Sequence, residues 1–371
     1  MISDLDQSVP RVAFDARLSI GSYRGMGRFA RQMVRGYKRQ FLAFAASGES
    51  DPDFDLCCAG PKAFPIWEQL SLPWLAAKHH IDYLFCPYNT APLHMASSVG
   101  LILAIHDLIY MIPVPDLGLS KSAYQNVGRL YRRLIVPRAI RRARFIITVS
   151  QSARLDLLKF HPPAETRTIV IPNTIRSSWF IDQKCAEIMR DSYVLCPSGC
   201  APSKNLISAI QAFASFVKSN GRREMRMIVT GVPATHHASF GAIANTLNVN
   251  EQVQFLDYVS EETLQSLYRE ASICFVPSLY EGFGIPALEA MASGAPLVLS
   301  AIPAFQEVAA QAALYANPRS IEDMADKLRT AANKTVAINL RSMGFARAPT
   351  FHPARIGEKI GSFWRQVLCA S

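Results

Sequence analysis

Charge is in short supply. Of 371 residues only 18% are Asp, Glu, Lys or Arg, against 50% hydrophobic, and a chain of that make-up buries a core rather than staying disordered. Acid is scarcer than base, 29 carboxylates to 39 lysines and arginines. The formal charge of +10 therefore favours anionic partners: nucleic acid, an acidic membrane surface or a phosphorylated substrate. Paired CxxC spacing is missing among the eight cysteines, which argues against a zinc site; several lie in apolar runs and read as core thiols in a reducing compartment. No basic stretch followed by an apolar one opens the sequence, so MISDLDQSVPRVAFD does not read as a secretory signal. Apolar runs long enough to span a bilayer are lacking too. The run from Val99 to Ile105 stops at His106 and Asp107, and any membrane contact is expected to be peripheral. Internal repeats and low-complexity tracts are absent.

What is there suits two domains, because one core seldom grows to this length. Short β-rich runs alternate with longer helical patterns, the signature of parallel α/β layers. In the first half, strands are expected at Arg11 to Phe14, Tyr83 to Cys86, Leu101 to Ile105 and Phe145 to Val149, with helices at Gly27 to Tyr37 and Lys121 to Ile140. From Ile169 to Phe180 periodicity fades through Pro172 and Asn173, and the segment reads as a linker. A second series follows, with strands at Tyr193 to Cys196, Met225 to Thr230, Val253 to Leu256, Ile273 to Val276 and Leu297 to Ser300. Its helices are expected at Asn205 to Val217, Glu262 to Glu270 and Pro286 to Ala292. Two Rossmann-like domains are the economical α/β architecture: residues 1–172, a linker at 173–190, residues 191–350, and an amphipathic helix in 351–371 that packs back on the first domain.

The chemistry concentrates in PSLYEGFGIPALEAMASG, Pro277 to Gly294. An apolar strand ends at Pro277, and ligands of open α/β sheets sit beyond the carboxyl ends of strands. Gly282 and Gly284 let the backbone approach a ligand closely, and the following helix directs its free N–H groups at the same place, a cradle for a diphosphate. Glu281 lies in the loop and Glu289 in the helix. Eight helical positions span about 12 Å of rise, which suits an extended ligand with Glu281 at one end and Glu289 at a ribose diol at the other. The same two residues, met alone, would read as a dipole-favoured helix-end charge and a solvated helix residue.

They are not met alone. EGFGIPALEAMASGAPLVLS resembles the Glu-x7-Glu motif of retaining glycosyltransferases of the two-domain GT-B kind (group 1, or family 4, mannosyltransferase-like), and the likeness continues through SAIPAFQEVAAQAALYANP with Glu307 and Val308. The resemblance implies two Rossmann-like domains facing an interdomain cleft. By it, Glu281 contacts the donor sugar, Gly282, Phe283 and Gly284 hold the diphosphate through their amides, and Glu289 binds the ribose. Lys204, in SGCAPSKNL after the strand YVLCP, looks like the family's Lys-Asn element and would neutralise a leaving diphosphate. Relatives often carry an Arg nearby, where this sequence has Ser198 and Ser203. His106 in LILAIHDLIY resembles the histidine that reaches the transferred sugar, although a histidine after a strand is more often structural. Asp107 is expected to orient that loop.

The loop SYRGMGRFA fits G-x-G-x-x-A through Gly25, Gly27 and Ala30, but the preceding strand is too distant and no acidic residue follows at dinucleotide spacing. The resemblance instead gives Gly25 and Gly27 a role toward donor phosphates and acceptor. No DxD stands beside the cradle, and DPDFD near Asp51 reads as loop far from any strand end, consistent with metal-independent transfer and no cofactor. Arg129 to Arg144, interleaved with Leu130, Leu134, Ile135 and Ile140, reads either as a basic amphipathic helix for anionic lipid or as a solvated face. Nothing accompanies the charge that would read nucleic acid. The implied activity is transfer of a hexose, GDP-mannose being the favoured donor, from a nucleoside diphosphate sugar to a saccharide or lipid-linked acceptor in polysaccharide assembly. The implied location is the cytoplasm or the inner face of its membrane. A sugar-nucleotide epimerase, or a silent protein on the same scaffold, are the alternatives.

Overall fold

A computed structural model of the chain describes residues 10–21, 25–113, 123–181, 191–220 and 224–369. They divide into two compact units, one holding residues 10–111, 123–174 and 354–369, the other residues 112–113 and 175–353.

The first unit is built on a parallel sheet of seven strands among the described residues, in the order β3-β2-β1-β4-β5-β6-β7. These are β1 (Val12–Asp15), β2 (Leu42–Ala45), β3 (Leu56–Cys58), β4 (Tyr83–Cys86), β5 (Gly100–Ile105), β6 (Phe145–Thr148) and β7 (Thr168–Val170). The central strands YLFC and GLILAI are buried almost throughout because helices cover both faces, so they read as continuous apolar runs rather than alternating ones. β2, β3 and β7 were not expected. Each has only three or four residues, and β3 and β7 lie at the sheet edges with their side chains half-exposed, so their apolar signal is weak.

Two expectations need correction here. DPDFD is not remote from strand ends: it lies between β2 and β3, with Asp55 directly before Leu56, and its carboxylates pair internally. Arg31 binds Asp51 and Asp53, and Lys38 reaches Asp53 at 2.8 Å. The glycine-rich loop is helix from Gly25 onward, since Gly25 and Gly27 open the helix Gly25–Val34; its upstream part, residues 22–24, lies outside the described residues. Lys121 and Ser122 of the next expected helix also lie outside, and the helix is described over Ala123–Arg142.

The last helix, Pro353–Leu368, belongs to the first unit. Ile356, Ile360, Phe363, Trp364 and Val367 form its buried stripe at helical spacing. Trp364 is fully buried against Phe41, at a ring separation of 4.6 Å, and donates its indole N–H to the carbonyl of Met33 at 2.8 Å.

The second unit carries a six-stranded parallel sheet among the described residues, ordered β10-β9-β8-β11-β12-β13. Its strands are β8 (Asp191–Pro197), β9 (Arg226–Thr230), β10 (Val253–Phe255), β11 (Ala271–Val276), β12 (Leu297–Ser300) and β13 (Ala313–Ala316). β13, ALYA, is a half-buried edge strand and was also missed. The segment read as linker begins inside β7 and ends near Trp179, whose indole is fully buried in the second unit; residues 182–190 lie outside the described ones.

Candidate functional site

The strand order of the second sheet reverses direction between β8 and β11, the place where open α/β sheets bind ligands beyond their strand ends. The loop after β8 supplies Lys204 and the loop after β11 supplies Glu281. Three bonds tie the loops together. Leu279 donates its backbone N–H to the carbonyl of Ser203 at 2.7 Å, and Asn205 Nδ2 donates to the carbonyl of Pro277 at 3.1 Å. Lys204 Nζ meets Glu281 Oε1 at 2.6 Å. Asn205 adopts φ +57°, a left-handed conformation that Asn tolerates, so the helix starts one residue later than expected, at Leu206. Ser278, buried, donates to Glu281 Oε1 at 2.8 Å, so the carboxylate is held from two sides.

Glu281 is followed by Gly282, Phe283 and Gly284 and then the helix Ile285–Ala292. Gly284 has φ +104°, and a Cβ there would lie 2.7 Å from the ring of Phe305, so both backbone and space call for glycine. The first-turn N–H groups of such a helix point back toward the 281–284 loop and favour an anion. Phe283 is buried edge-on against Phe351 at 5.5 Å. Glu289, one residue in from the middle of the helix, is 6% exposed. Its Oε2 accepts from the phenol of Tyr268 at 3.0 Å. Burial and the neighbouring Glu289 carboxylate push the Tyr268 phenol well above its ordinary pKa, so it stays a donor. Tyr268 packs edge-on against Trp179 at 5.6 Å, and Trp179 donates to Glu261 at 2.8 Å. Tyr268 gave no signal in the sequence beyond a tyrosine in a helical pattern.

In the first unit His106 follows β5 and is 7% exposed. Burial pulls its pKa down to about 4, so the ring is neutral near pH 7. Its Nε2 lies 2.7 Å from the carbonyl of Pro87, which can only accept, so the proton sits on Nε2 and Nδ1 keeps a lone pair. The His106 backbone N–H donates to Asn89 Oδ1 at 2.6 Å. Asp107 Oδ1 accepts from the backbone of Ile109 at 3.1 Å, a local turn bond.

Sequence reasoning missed a buried polar cluster next to this loop. Asp15 closes β1, and Arg17 Nη2 lies 3.5 Å from Asp15 Oδ2. The guanidinium of Arg17 rests on Phe64 at 4.1 Å and lies 5.5 Å from the ring of Tyr88. Trp67 Nε1 donates to Asp15 at 3.2 Å. Glu68 is 1% exposed and accepts from Thr90, from Tyr131 at 2.7 Å and from Gln69 at 3.0 Å. Trp67 and Glu68 are consecutive yet both buried, because the helical stretch 64–78 opens to π geometry at Trp67–Ser71. Pro73 offers no N–H to the preceding turn, which is a local cause for that opening. Burial raises the pKa of both Asp15 and Glu68. A strand boundary placed at Asp15 would have put Asp15 and Arg17 at a strand's carboxyl end.

Among the described residues, no three His, Cys, Asp or Glu side chains gather closely enough to hold a metal ion. No helix is long and apolar enough to cross a membrane.

Residues 177–343 match the family model "Glycosyl transferases group 1". Two curated relatives are similar. "O-antigen chain mannosyltransferase RfbU" of Salmonella typhimurium is 31% identical over 250 residues, which is 66% of this chain and 65% of that protein. "O-antigen chain mannosyltransferase B" of Escherichia coli is 30% identical over 190 residues, 48% of this chain and 49% of that protein. The matches thus span less than two thirds of either relative. Among solved structures, WaaG, described as a glycosyltransferase involved in lipopolysaccharide biosynthesis, superposes with TM-score 0.72 at 18% identity, covering 97% of this chain and all of that one. Anabaena Alr3699/HepE in complex with UDP-glucose gives 0.71 at 17%, covering 96% of this chain and all of that one. The fold is GT-B.

Proposed function

From a second domain that belongs to the group 1 glycosyl transferases, we propose that this chain transfers a hexose from a nucleoside diphosphate sugar to a hydroxyl of a saccharide or lipid-linked saccharide, as a step in polysaccharide assembly. The observation that carries this reading is the Lys204–Glu281 pair, held on two cross-tied loops at the switch point of the second sheet and followed by the Gly284-started helix. The diphosphate occupies the mouth of that helix, where its amides and Lys204 offset the charge that grows on the leaving group. Glu281 accepts hydrogen bonds from sugar hydroxyls, and Glu289, steadied by Tyr268, accepts from the ribose diol. Gly282 and Phe283 contribute backbone amides.

In the first unit, which takes the acceptor, His106 offers the Nδ1 lone pair to a sugar hydroxyl. Gly25 and Gly27 act through the first turn of their helix rather than as a loop. Mannose is the first sugar to test, given the names of the two curated relatives. The transfer is proposed to retain anomeric configuration and to need no metal. Incubation with a panel of nucleoside diphosphate sugars and saccharide acceptors should release nucleoside diphosphate and yield a new glycoside whose anomeric coupling matches the donor. Epimerised donor formed without acceptor would contradict transfer.

A cytoplasmic protein with peripheral contact to an anionic bilayer is the proposed setting. On the Ala123–Arg142 helix, Val127, Leu130 and Leu134 are 67%, 59% and 52% exposed, and Arg138 and Arg141 continue the same side at steps of three and four. The other arginines of this run are not all on that face. Arg133 donates to the carbonyl of Tyr110 at 2.6 Å, and Arg142 to those of Leu93 and Met95 at 2.9 Å each. Sedimentation with phosphatidylglycerol vesicles should fall in Leu130→Glu and Arg141→Glu; equal sedimentation would count against the contact.

A further inference from the structure

The amino end of the second sheet, opposite the strand ends that hold Lys204 and Glu281, carries a cleft of about 340 Å³. Met225 directly before β9, Ser272 in β11 and Pro296 directly before β12 close its floor. Its wall is the corner where the helix Ile321–Ala331 gives way to the helix Lys334–Arg347. Lys334, Ala337, Ile338 and Arg341 follow one another at helical steps of three, one and three, so they share one face, and that face lines the cleft.

The polar groups of the floor are already engaged. Ser272 donates its hydroxyl to the carbonyl of Tyr193 at 2.8 Å, the carbonyl of Pro296 accepts from Cys274 at 2.8 Å, and that of Met225 accepts from Gln252 at 3.3 Å. The floor therefore offers an occupant apolar contact only. The rim offers charge of one sign, because Lys334 and Arg341 line it and, among the described residues, no carboxylate does. These groups are open to solvent: Ile338 is 55% exposed, Lys334 is exposed and Arg341 is half-exposed. The Lys334 ammonium makes no ion pair or hydrogen bond among the described residues. It stands in the first turn of its helix, which holds no acidic residue and whose dipole disfavours a cation there. Helix stability is better served by Asp or Glu at that position.

We propose that this cleft binds one molecule of an amphiphilic phosphomonoester, its phosphate held between Lys334 and Arg341 and its apolar chain laid along Ala337 and Ile338 over the floor. The site does not depend on the transfer reaction. Charge selects the headgroup: a phosphomonoester carries close to two negative charges near neutral pH, which answers both cations, whereas a carboxylate answers one. The two cations start seven residues apart, about 10 Å of helical rise, with the apolar pair between them, so headgroup and chain are bound by the same face. Size selects a single molecule. Ligand cavities run from about 300 to 1,000 Å³, and this one, near the small end, has room for a short chain but not for a bilayer or a folded partner.

The test is calorimetric titration of the full chain with octyl phosphate below its micelle concentration, beside inorganic phosphate and 1-octanol. Octyl phosphate should bind more tightly than either. Lys334→Gln removes a cation that no other described residue uses, and it should weaken binding about tenfold, the loss expected for a charged hydrogen bond. Ala337→Trp puts an indole into the cleft from a half-exposed position and should weaken it at least as much; where it fails to fold, Lys334→Gln carries the test. Neither substitution touches the proposed donor site, so a difference from wild type reads this cleft alone. Octyl phosphate binding unchanged in Lys334→Gln or in folded Ala337→Trp would overturn the proposal, as would binding no tighter than that of inorganic phosphate or 1-octanol. Phosphatidylglycerol vesicles should sediment Ala337→Trp as well as wild type, and loss of sedimentation would overturn the single-molecule site in favour of a bilayer contact.

Discussion

Replacing Tyr268 by Phe isolates one hydrogen bond in the proposed donor site. The ring is fully buried and stays packed on Trp179, so only the phenol oxygen is lost. That oxygen donates to Glu289 Oε2 at 3.0 Å, and the carboxylate is only 6% exposed, so water does not readily replace the donor. A hydrogen bond to a buried charged group is worth about 1.5–3 kcal/mol, and the variant should lose stability of that order. The functional consequence is sharper. If Glu289 grips the ribose, wild-type protein should bind a nucleoside diphosphate more tightly than its 2′-deoxy analogue, by about tenfold for one lost hydrogen bond to a carboxylate. In Tyr268→Phe the carboxylate loses one of the contacts that aim it, and that preference should fall while affinity for the 2′-deoxy form barely changes. Calorimetric titration of both nucleotides into both proteins reads the four affinities directly. An undiminished ribose preference in Tyr268→Phe would refute the reasoning, because Glu289 would then be positioned without its phenol or would not touch the ribose.

Other consequences follow from the same structure. His106 has its pKa depressed from 6.5 to about 4, so the unfolded chain takes up the proton first; the stabilisation from the neutral ring is complete above pH 6.5 and is lost as pH falls toward 4. The shift corresponds to about 3 kcal/mol, and urea unfolding across that window should show wild-type protein losing that much relative to His106→Gln. Gly284→Ala should destabilise by about 1–3 kcal/mol from the positive φ alone, more with the clash on Phe305, and thermal melts that match wild type would contradict the geometry. Trp364→Ala should cost about 3–5 kcal/mol in denaturant unfolding, since it empties a fully buried site and leaves the Met33 carbonyl without its donor.

Legibility from sequence followed local signal strength. The 285–292 helix, the loop of Glu281 to Gly284 and the buried stripe of the final helix all rest on contiguous patterns, and each stands where those patterns put it. β3, β7 and β13 are edge strands of only three or four residues and are partly exposed, so their short apolar runs gave propensity little to detect. Gly25 misled because glycine punctuates loops more often than it opens helices; the helix expected from Gly27 starts two residues earlier. Of the Asp15, Arg17 and Glu68 cluster only a strand end at Asp15 could have been read. Sheet order brings Glu68 to the other two, and the π turn that buries it beside Trp67 is hinted at locally by Pro73 alone. Tyr268 was hidden for the same reason, since its partner Glu289 lies on a different helix.

A nucleoside diphosphate held by the loops after β8 and β11 is the core of the proposed function. Its most direct test is a thermal-shift titration with UDP, GDP, ADP and TDP on wild-type protein and on Lys204→Ala. At least one nucleotide should raise the wild-type melting temperature progressively with concentration, as a ligand specific for the folded state must, and Lys204→Ala should need at least about tenfold more of it for the same shift. No shift with any of the four, or an equal shift in Lys204→Ala, would contradict the claim.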